Sequence, residues 1–175
     1  KTSDIKLVGR HNVENYMAAI GVLDGLVSSE SVRKVARTFG GVEHRLEFVR
    51  TLDGVTYYNS SIDTSPSRTA AALSALTQKP VVICGGYDKH IPFDTLGDTL
   101  CKRAKGVVLT GATAGAIREA VERSAFYADS GLVMVYEQDF EGAVHRARSM
   151  ATEGDIVILS PACASFDAFP NFSVR

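Results

Sequence analysis

The sequence predicts an α/β fold with a mostly parallel sheet and helices on both of its faces. Short runs of β-branched residues alternate along the chain with stretches of helical apolar periodicity, an order that is typical of βα units. The runs lack polar alternation, which indicates strands that are buried on both faces. Together these observations favour a Rossmann-like, doubly wound sheet.

The beginning of the chain shows helical patterns only. Apolar residues recur at helical spacing from His11 to Val27, and a second, shorter pattern covers Val32 to Phe39. Gly40-Gly41 ends the second pattern. With 175 residues, of which 45% are hydrophobic, the chain is long enough for one sizeable core and a short extra segment at one end.

The strands follow, and the first two are predicted to form an antiparallel hairpin at one edge of the sheet. Leu46–Leu52 and Val55–Asn59 flank Asp53-Gly54, a two-residue turn of the type found in hairpins. The parallel strands are predicted at 81–83, 107–109, 132–135 and 156–159, and the helices of this part at 66–77, 93–104, 114–125 and 140–151.

Composition argues against several classes of function. The formal net charge is −1 and the basic residues are scattered, so we do not expect a nucleic-acid partner. The three cysteines are widely spaced, which argues against a disulfide framework and a zinc site and fits a reducing cytoplasm. No apolar run approaches the roughly 20 residues that span a bilayer, so we expect a soluble protein without membrane contact. Because the chain opens without methionine, we also expect it to be part of something longer.

A phosphate-binding loop is missing from the sequence. There is no Gly-Lys-Ser/Thr, and neither Gly85-Gly86 nor the glycines at 111 and 115 fit the dinucleotide fingerprint. If the protein uses ATP, the phosphates are therefore bound mainly elsewhere.

Ligands of doubly wound sheets bind outside the carboxyl ends of the strands, so the loops there are the candidate site. In the loop 85–90, Lys89 follows two glycines and can present a cation to a carboxylate, or it is a solvated residue of a tight turn. The segment 160–172 is either a ligand site, in which Ser165 donates a hydrogen bond, or a packing loop whose phenylalanines belong to the core. Cys163 is a poor candidate nucleophile, because no nearby histidine and carboxylate suggest its activation.

Four other polar positions have a local interpretation beside a functional one. Asn12 and Asn15 stand where they can cap the first helix. Arg45 either pairs with a phosphate or is a solvated edge residue. The residues 63–65 before Pro66 are typical of a helix N-cap, which leaves Thr64 free for a second role.

Five motifs, taken in order, resemble those of the Mur ligases and span essentially the whole chain. They are Gly9-Arg-His-Asn-Val-Glu-Asn15, Glu43-His-Arg45, Asn59-Ser-Ser-Ile-Asp-Thr-Ser-Pro-Ser-Arg68, Gly85-Gly-Tyr-Asp-Lys89 and Leu159-Ser-Pro-Ala-Cys-Ala-Ser-Phe-Asp-Ala-Phe-Pro-Asn-Phe172. Each motif alone is weak, but five in register are specific. The last one distinguishes the branch of the family that adds glutamate.

The resemblance implies a division of the chain and a reaction. Residues 1–40 would be the C-terminal helices of a central ATPase domain, and residues 41–175 the C-terminal domain that binds the amino acid. The whole protein would be a monomeric ATP-dependent ligase that joins D-glutamate to UDP-N-acetylmuramoyl-L-alanine. The reaction would pass through an acyl phosphate and belong to peptidoglycan precursor synthesis. ATP and Mg²⁺ would be bound mainly by the missing central domain, so this part alone would be inactive.

The resemblance also implies the site residues. The D-glutamate pocket would consist of Thr64, Lys89, Ser165, Phe166 and Phe172, with Lys89 and Ser165 on the side-chain carboxylate. The nucleotide would be contacted by Asn12 and Asn15 on the adenine side, by Arg45 and by Ser60. No catalytic residue and no metal ligand is expected in this part of the protein, and the domain would close about a hinge near Gly40-Gly41.

The loop 59–63 departs from the pattern of the family. Where many relatives have Asn-Asp-Ser, this chain has Asn59-Ser60-Ser61, so a carboxylate expected near the ribose is absent. Asp63 replaces a usual alanine, and Ile62 stands where some members have lysine.

Two alternative functions stay open. One is the C-terminal domain of a ligase similar to folylpolyglutamate synthetase, against which the run Ser160-Pro-Ala-Cys-Ala-Ser165 argues. The other is a non-catalytic α/β module that binds an amino acid or a nucleotide.

Overall fold

A computed structural model of the chain describes residues 1–7 and 9–175. The chain forms two compact units, Lys1–Val42 and Glu43–Arg175. The boundary lies two residues after the position that the sequence predicted.

The first unit is helical. A single 3-10 turn at Thr2–Asp4 precedes the helices α1 (Arg10–Val22) and α2 (Ser29–Thr38). Helix α2 begins where the sequence offers a cap, because the Ser28 hydroxyl accepts a hydrogen bond from the backbone N–H of Ser31 at 3.1 Å.

Helix α1 is shorter than its apolar periodicity predicts. The helix ends at Val22, whereas the pattern runs on to Val27. Leu26 is 78% exposed, so no packing within this unit holds the last predicted turn in a helix, and Gly25 adopts a left-handed φ of 75°.

The second unit contains a six-stranded sheet in the order β1-β2-β6-β3-β4-β5. Strands β1 and β2 pair antiparallel, and all other neighbours are parallel. The strands are β1 (Glu47–Leu52), β2 (Val55–Asn59), β3 (Val81–Gly85), β4 (Gly106–Thr110), β5 (Val133–Tyr136) and β6 (Ile156–Leu159). The mostly parallel sheet with one antiparallel edge pair confirms the predicted fold class.

The predicted hairpin joins β1 and β2 at the edge of the sheet. Leu52 pairs with Val55 across the turn. Asp53 and Gly54 have φ angles of 52° and 74°, and two successive residues with positive φ match the twist of the flanking strands.

Helices cover both faces of the sheet. They are α3 (Pro66–Ala75), α4 (Asp94–Arg103), α5 (Ala114–Arg123), the short α6 (Tyr127–Ser130), which the sequence did not predict, and α7 (Phe140–Met150). Along β3, Val82 packs in one core with Leu96 of α4, whereas Val81 packs in the other core with Ala147 of α7. Successive residues of a strand point to opposite faces, which explains why the buried strands show no polar alternation.

The strand order places three loops side by side. The chain moves outwards from β3 to β4 and β5, and β6 then returns to lie between β2 and β3. Because β2, β6 and β3 are parallel, the loops that follow them meet at one edge of the sheet, which is where such folds bind ligands.

One carboxyl group is buried at this edge. Asp63 is 6% exposed, and its Oδ2 accepts a hydrogen bond from the Ser160 hydroxyl at 2.9 Å. Burial raises the pKa of the Asp63 carboxyl, and hydrogen bonds with Ser60 and Ser160 oppose the shift only in part. The positive charges of Arg68 and Arg45 also lower the pKa of Asp63. The ionised form is thus disfavoured in the folded protein.

We expect Gly97→Ala to destabilise the protein. A Cβ at Gly97, which lies in the α4 helix, would overlap the backbone carbonyl oxygen of Ala120 in α5, and overpacking of this kind costs about 1–3 kcal/mol. Gly115→Ala in α5 is the matched control, because a Cβ there meets no atom within 4 Å. Chemical denaturation of both variants measures the difference, and equal stabilities would contradict the close helix packing.

Asp63→Asn should stabilise the protein at neutral pH. The folded pKa is raised above the ordinary value of 3.8, so the contribution of Asp63 to stability is fully present below that pH and is lost as pH rises through the raised pKa. The gain from the uncharged amide should therefore be absent near pH 3 and largest above the raised pKa. Thermal unfolding as a function of pH, with the exposed Asp129→Asn as control, would reject this account if the two variants showed the same profile.

Candidate functional site

The site is built on a close pairing between the loop after β3 and the segment after β6. The backbone N–H groups of Gly85 and Tyr87 donate to the carbonyls of Pro161 and Ala164, both at 2.9 Å. Gly86 lies between them with a φ of 144°, and a Cβ there would overlap the carbonyl oxygen of Ala164. Only glycine permits this approach.

A buried threonine adds the loop after β4 to this pairing. The Thr113 hydroxyl accepts from the N–H of Gly86 and donates to its carbonyl, both at 3.1 Å. The same hydroxyl lies 3.1 Å from the Cys163 sulfur, and Thr113 is 1% exposed. The three strand-end loops are thus fixed relative to one another.

Lys89 and Thr64 come together from different loops. The ammonium group of Lys89, after β3, donates to the Thr64 carbonyl, after β2, at 2.8 Å. The lysine side chain is exposed, and two of its three donors are not used by this bond. The Lys89 ammonium is thus both exposed and held at the Thr64 carbonyl, and its contact with a carboxylate stays a prediction.

Ser165 and Phe166 lie beside the same loops. Ser165 is 2% exposed, and its carbonyl accepts from the N–H groups of Ala168 and Phe169. Within the ranges that the structure describes, the Ser165 hydroxyl makes no hydrogen bond. Phe166 is 65% exposed, and its ring contacts the Tyr87 ring edge-to-face with centroids 6.0 Å apart. Ser165 as a whole is buried, but its hydroxyl oxygen is not among the atoms that are buried without a partner. The aromatic pair faces outwards.

The phenylalanines of the last segment have different surroundings. Phe169, which is partly buried, packs edge-to-face on Phe140 of α7 at 5.2 Å. Phe172 instead contacts the His44 ring at 5.7 Å, and its carbonyl accepts from the Ser61 hydroxyl at 2.8 Å. The packing interpretation therefore holds for Phe169, whereas Phe166 stands clear of the core.

Arg45 and Ser60 have opposite environments. Arg45 is exposed, and its guanidinium forms no ion pair or hydrogen bond with any residue that the structure describes. The Ser60 hydroxyl accepts from the N–H of Leu46 at 3.0 Å and is 1% exposed. Ser60 thus already supports the turn next to Arg45, and its contact with a nucleotide stays a prediction.

Asn12 and Asn15 belong to the first unit. The amide of Asn15 donates to the Asn12 oxygen at 3.5 Å, and Asn12 is 9% exposed. The N-cap residue of α1 is Gly9, so neither asparagine occupies the cap position itself. Both asparagines lie inside the helix, where their side chains cannot take the cap position.

Cys163 and Cys84 are inert thiols. Burial raises the pKa of Cys163 to about 11 and also raises the pKa of Cys84, so neither has thiolate character at neutral pH. In residues 1–7 and 9–175, no three histidine, cysteine or carboxylate side chains group in a way that could hold a metal ion. None of the described helices combines the length and the apolar character that a membrane span needs.

Arg175 links the loop after β2 to the segment after β6, a contact that the sequence did not predict. Its guanidinium donates to the Ser61 hydroxyl at 3.0 Å, to the Ser61 carbonyl at 2.8 Å and to the Cys163 carbonyl at 3.3 Å. Burial lowers the pKa of this guanidinium. Arg175 also lines a cavity of about 320 Å³ that includes Gly86 and Asp167 but neither Lys89 nor Thr64. No local pattern predicts these partners, because they are more than ten residues away.

Comparison with known proteins identifies relatives over nearly the whole chain. The chain is 52% identical over 174 residues to a UDP-N-acetylmuramoylalanine--D-glutamate ligase of Clostridium novyi, covering 98% of this chain and 38% of the relative. It is 50% identical to the ligase of the same description from Clostridium acetobutylicum, covering 98% of this chain and 37% of the relative. The chain thus spans a little over a third of the length of these relatives.

Solved structures share the fold. UDP-N-acetylmuramate-alanine ligase MurC from Thermotoga maritima superposes with a TM-score of 0.68 at 17% identity, over 90% of this chain and 36% of that one. Folylpolyglutamate synthase of Mycobacterium tuberculosis, complexed with ADP and AMPPCP, gives 0.66 at 16% identity, over 91% of this chain and 39% of that one. The family profile described as Mur ligase, glutamate ligase domain, matches residues 44–163. The chain therefore belongs to the Mur ligase family.

Proposed function

We propose that this chain is the part of an ATP-dependent ligase that binds D-glutamate and presents its amine to the activated carboxylate of UDP-N-acetylmuramoyl-L-alanine. The observation that carries the proposal is the hydrogen bond from Lys89 to the Thr64 carbonyl, which holds a cation at the carboxyl edge of the sheet. The relatives at about half identity are ligases of this description. The product would be an amide for peptidoglycan precursor synthesis, made in the cytoplasm.

Lys89 suits the side-chain carboxylate of the amino acid. One ammonium donor is fixed on Thr64, so the remaining two are oriented and can bind both oxygens of a carboxylate. A charge-assisted hydrogen bond of this kind contributes about 1.5–3 kcal/mol. Fixing the ammonium beforehand also reduces the entropy that the side chain loses on binding.

Ser165 and the two phenylalanines complete the proposed pocket. Ser165 is buried as a residue, and its hydroxyl, which makes no hydrogen bond within the described ranges, is available to donate to the same carboxylate from the surface of the loop. Phe166 and Phe172 supply apolar surface that excludes water when the amino acid is bound. In the reaction, these contacts hold the amine in line for attack on the acyl phosphate, a contribution of position rather than of covalent catalysis.

The nucleotide side of the proposal rests on Arg45, with Asn12, Asn15 and Ser60 as further predicted contacts. An exposed guanidinium without a partner in the described ranges is suited to bind phosphate oxygens. From the family resemblance, we assign the phosphate cradle and Mg²⁺ to the central domain of the protein, outside this chain. The isolated chain would then be inactive.

The surface of the first unit supports its assignment to a central ATPase domain. Apolar side chains of α1 and the segment after it are strongly exposed, as with Met17 at 67%, Val22 at 80% and Leu26 at 78%. Apolar surface of this extent marks a contact with another part of a protein. We propose that residues 1–40 complete the core of a domain whose remainder lies outside this chain.

A folylpolyglutamate synthetase is the second candidate because solved structures of that enzyme share the fold. The two reactions differ in the acceptor, so offering UDP-N-acetylmuramoyl-L-alanine and a folate to the full-length protein separates them. Amide formation on the folate alone would contradict the proposal, and so would binding of the amino acid without any ligation.

Lys89→Ala in the full-length protein should raise the KM for D-glutamate roughly ten- to hundredfold, because a charged hydrogen bond to the substrate is lost. The KM for ATP should change little. Steady-state kinetics with each substrate varied in turn measures both effects.

Lys79→Ala is the matched control for this substitution. Lys79 is also exposed but precedes β3, at the opposite end of the sheet from the proposed pocket. If Lys89→Ala and Lys79→Ala gave the same KM for D-glutamate, Lys89 would not bind the substrate.

A further inference from the structure

We infer that His44 is a positioning residue whose neutral imidazole, protonated at Nε2, holds the turn that presents Arg45 and also packs against Phe172. The inference rests on the proposed function, in which Arg45 contacts the nucleotide and Phe172 lines the amino-acid pocket. It adds a physical connection between these two parts of the site.

The turn around Arg45 is strained. Its two neighbours, His44 and Leu46, have φ angles of 63° and 44°, in the left-handed region that residues with a Cβ rarely adopt. Such a conformation costs free energy and persists only where surrounding contacts impose it. The strain sets the direction in which Arg45 leaves the backbone.

Backbone hydrogen bonds impose this conformation from both sides. The N–H of His44 donates to the Glu47 carboxylate at 2.8 Å, and its carbonyl accepts from the N–H of Ile62 at 3.2 Å. The N–H of Leu46 donates to the Ser60 hydroxyl at 3.0 Å. The turn is therefore tied to the end of β2 and to the loop that follows it.

The hydrogen bonds of Asn59 determine the protonation of His44. The oxygen Oδ1 of Asn59 accepts from the N–H of Ser61 at 3.0 Å. Its Nδ2 therefore faces the other two partners, Glu47 at 3.3 Å and His44 Nδ1 at 2.9 Å. A carboxylate only accepts, so Nδ2 is the donor, and His44 Nδ1 must accept as well. The imidazole is thus neutral and carries its proton on Nε2.

The same imidazole ring also contacts Phe172, a residue of the proposed amino-acid pocket. The His44 and Phe172 rings meet edge-to-face at 5.7 Å, with an interplanar angle of 83°. The Ser61 hydroxyl donates a hydrogen bond to the Phe172 carbonyl. Ser61 lies two residues after Asn59, whose side chain binds His44. His44 thus supports Arg45 through Nδ1 and Phe172 through its ring.

Two substitutions separate these contributions in the full-length protein. His44→Ala removes both, so the KM for ATP and the KM for D-glutamate should each rise roughly three- to tenfold. His44→Asn keeps an acceptor near the position of Nδ1 and a residue that tolerates positive φ, but it removes the ring. We expect it to restore the KM for ATP while the KM for D-glutamate stays raised.

Control measurements distinguish a positioning role from a loss of stability. His145→Ala removes an exposed histidine of α7 and should change neither KM. In ¹⁵N-resolved spectra of the wild-type protein, Nδ1 of His44 should give the resonance of an unprotonated nitrogen and Nε2 that of a protonated one. A proton on Nδ1 would overturn the inference whatever the kinetics.

Arg45→Ala separates failure of the inference from failure of the proposed function. If Arg45→Ala raises the KM for ATP but His44→Ala leaves both KM values unchanged, the inference is wrong and the proposed role of Arg45 stands. If Arg45→Ala leaves the KM for ATP unchanged, Arg45 does not contact the nucleotide, and the proposed role of His44 is wrong as well. Equal KM values for His44→Ala and His44→Asn would also overturn the inference.

Discussion

The close approach of the β3 and β6 strand ends is the constraint on which the candidate site depends. Gly86 lets the backbone after β3 pair with the segment after β6, and Thr113 fixes the loop after β4 to the same point. A side chain at Gly86 would separate the two segments. Lys89 and Ser165 then lie in different loops that are held together by these contacts and by the rigid sheet from which the loops leave.

The elements and their order could be predicted because they depend on local pattern. Strand β2 and the Asp53-Gly54 turn lie where the sequence predicts them, since a hairpin turn and β-branched runs are signals within a few residues. Helix α1 was predicted too long, because periodicity does not show whether an apolar face has a partner. The short helix at 127–130 has too few residues to give a periodic signal.

The site was predictable only as a set of loops. Loop position at the strand ends, together with family resemblance, indicated Thr64 and Lys89, but no local pattern shows that one binds the other. The strained turn around Arg45, the buried carboxyl of Asp63 and the partners of Arg175 arise from contacts between distant segments. Such contacts decide the charge and direction of each side chain, and therefore the chemistry of the site.

The most direct test of the account is a crystal structure of the full-length protein with bound D-glutamate. The account predicts that the side-chain carboxylate lies about 2.7–2.9 Å from the Lys89 ammonium, which still binds the Thr64 carbonyl, and within hydrogen-bonding distance of the Ser165 hydroxyl. A carboxylate bound by other residues, with Lys89 in solvent, would contradict it.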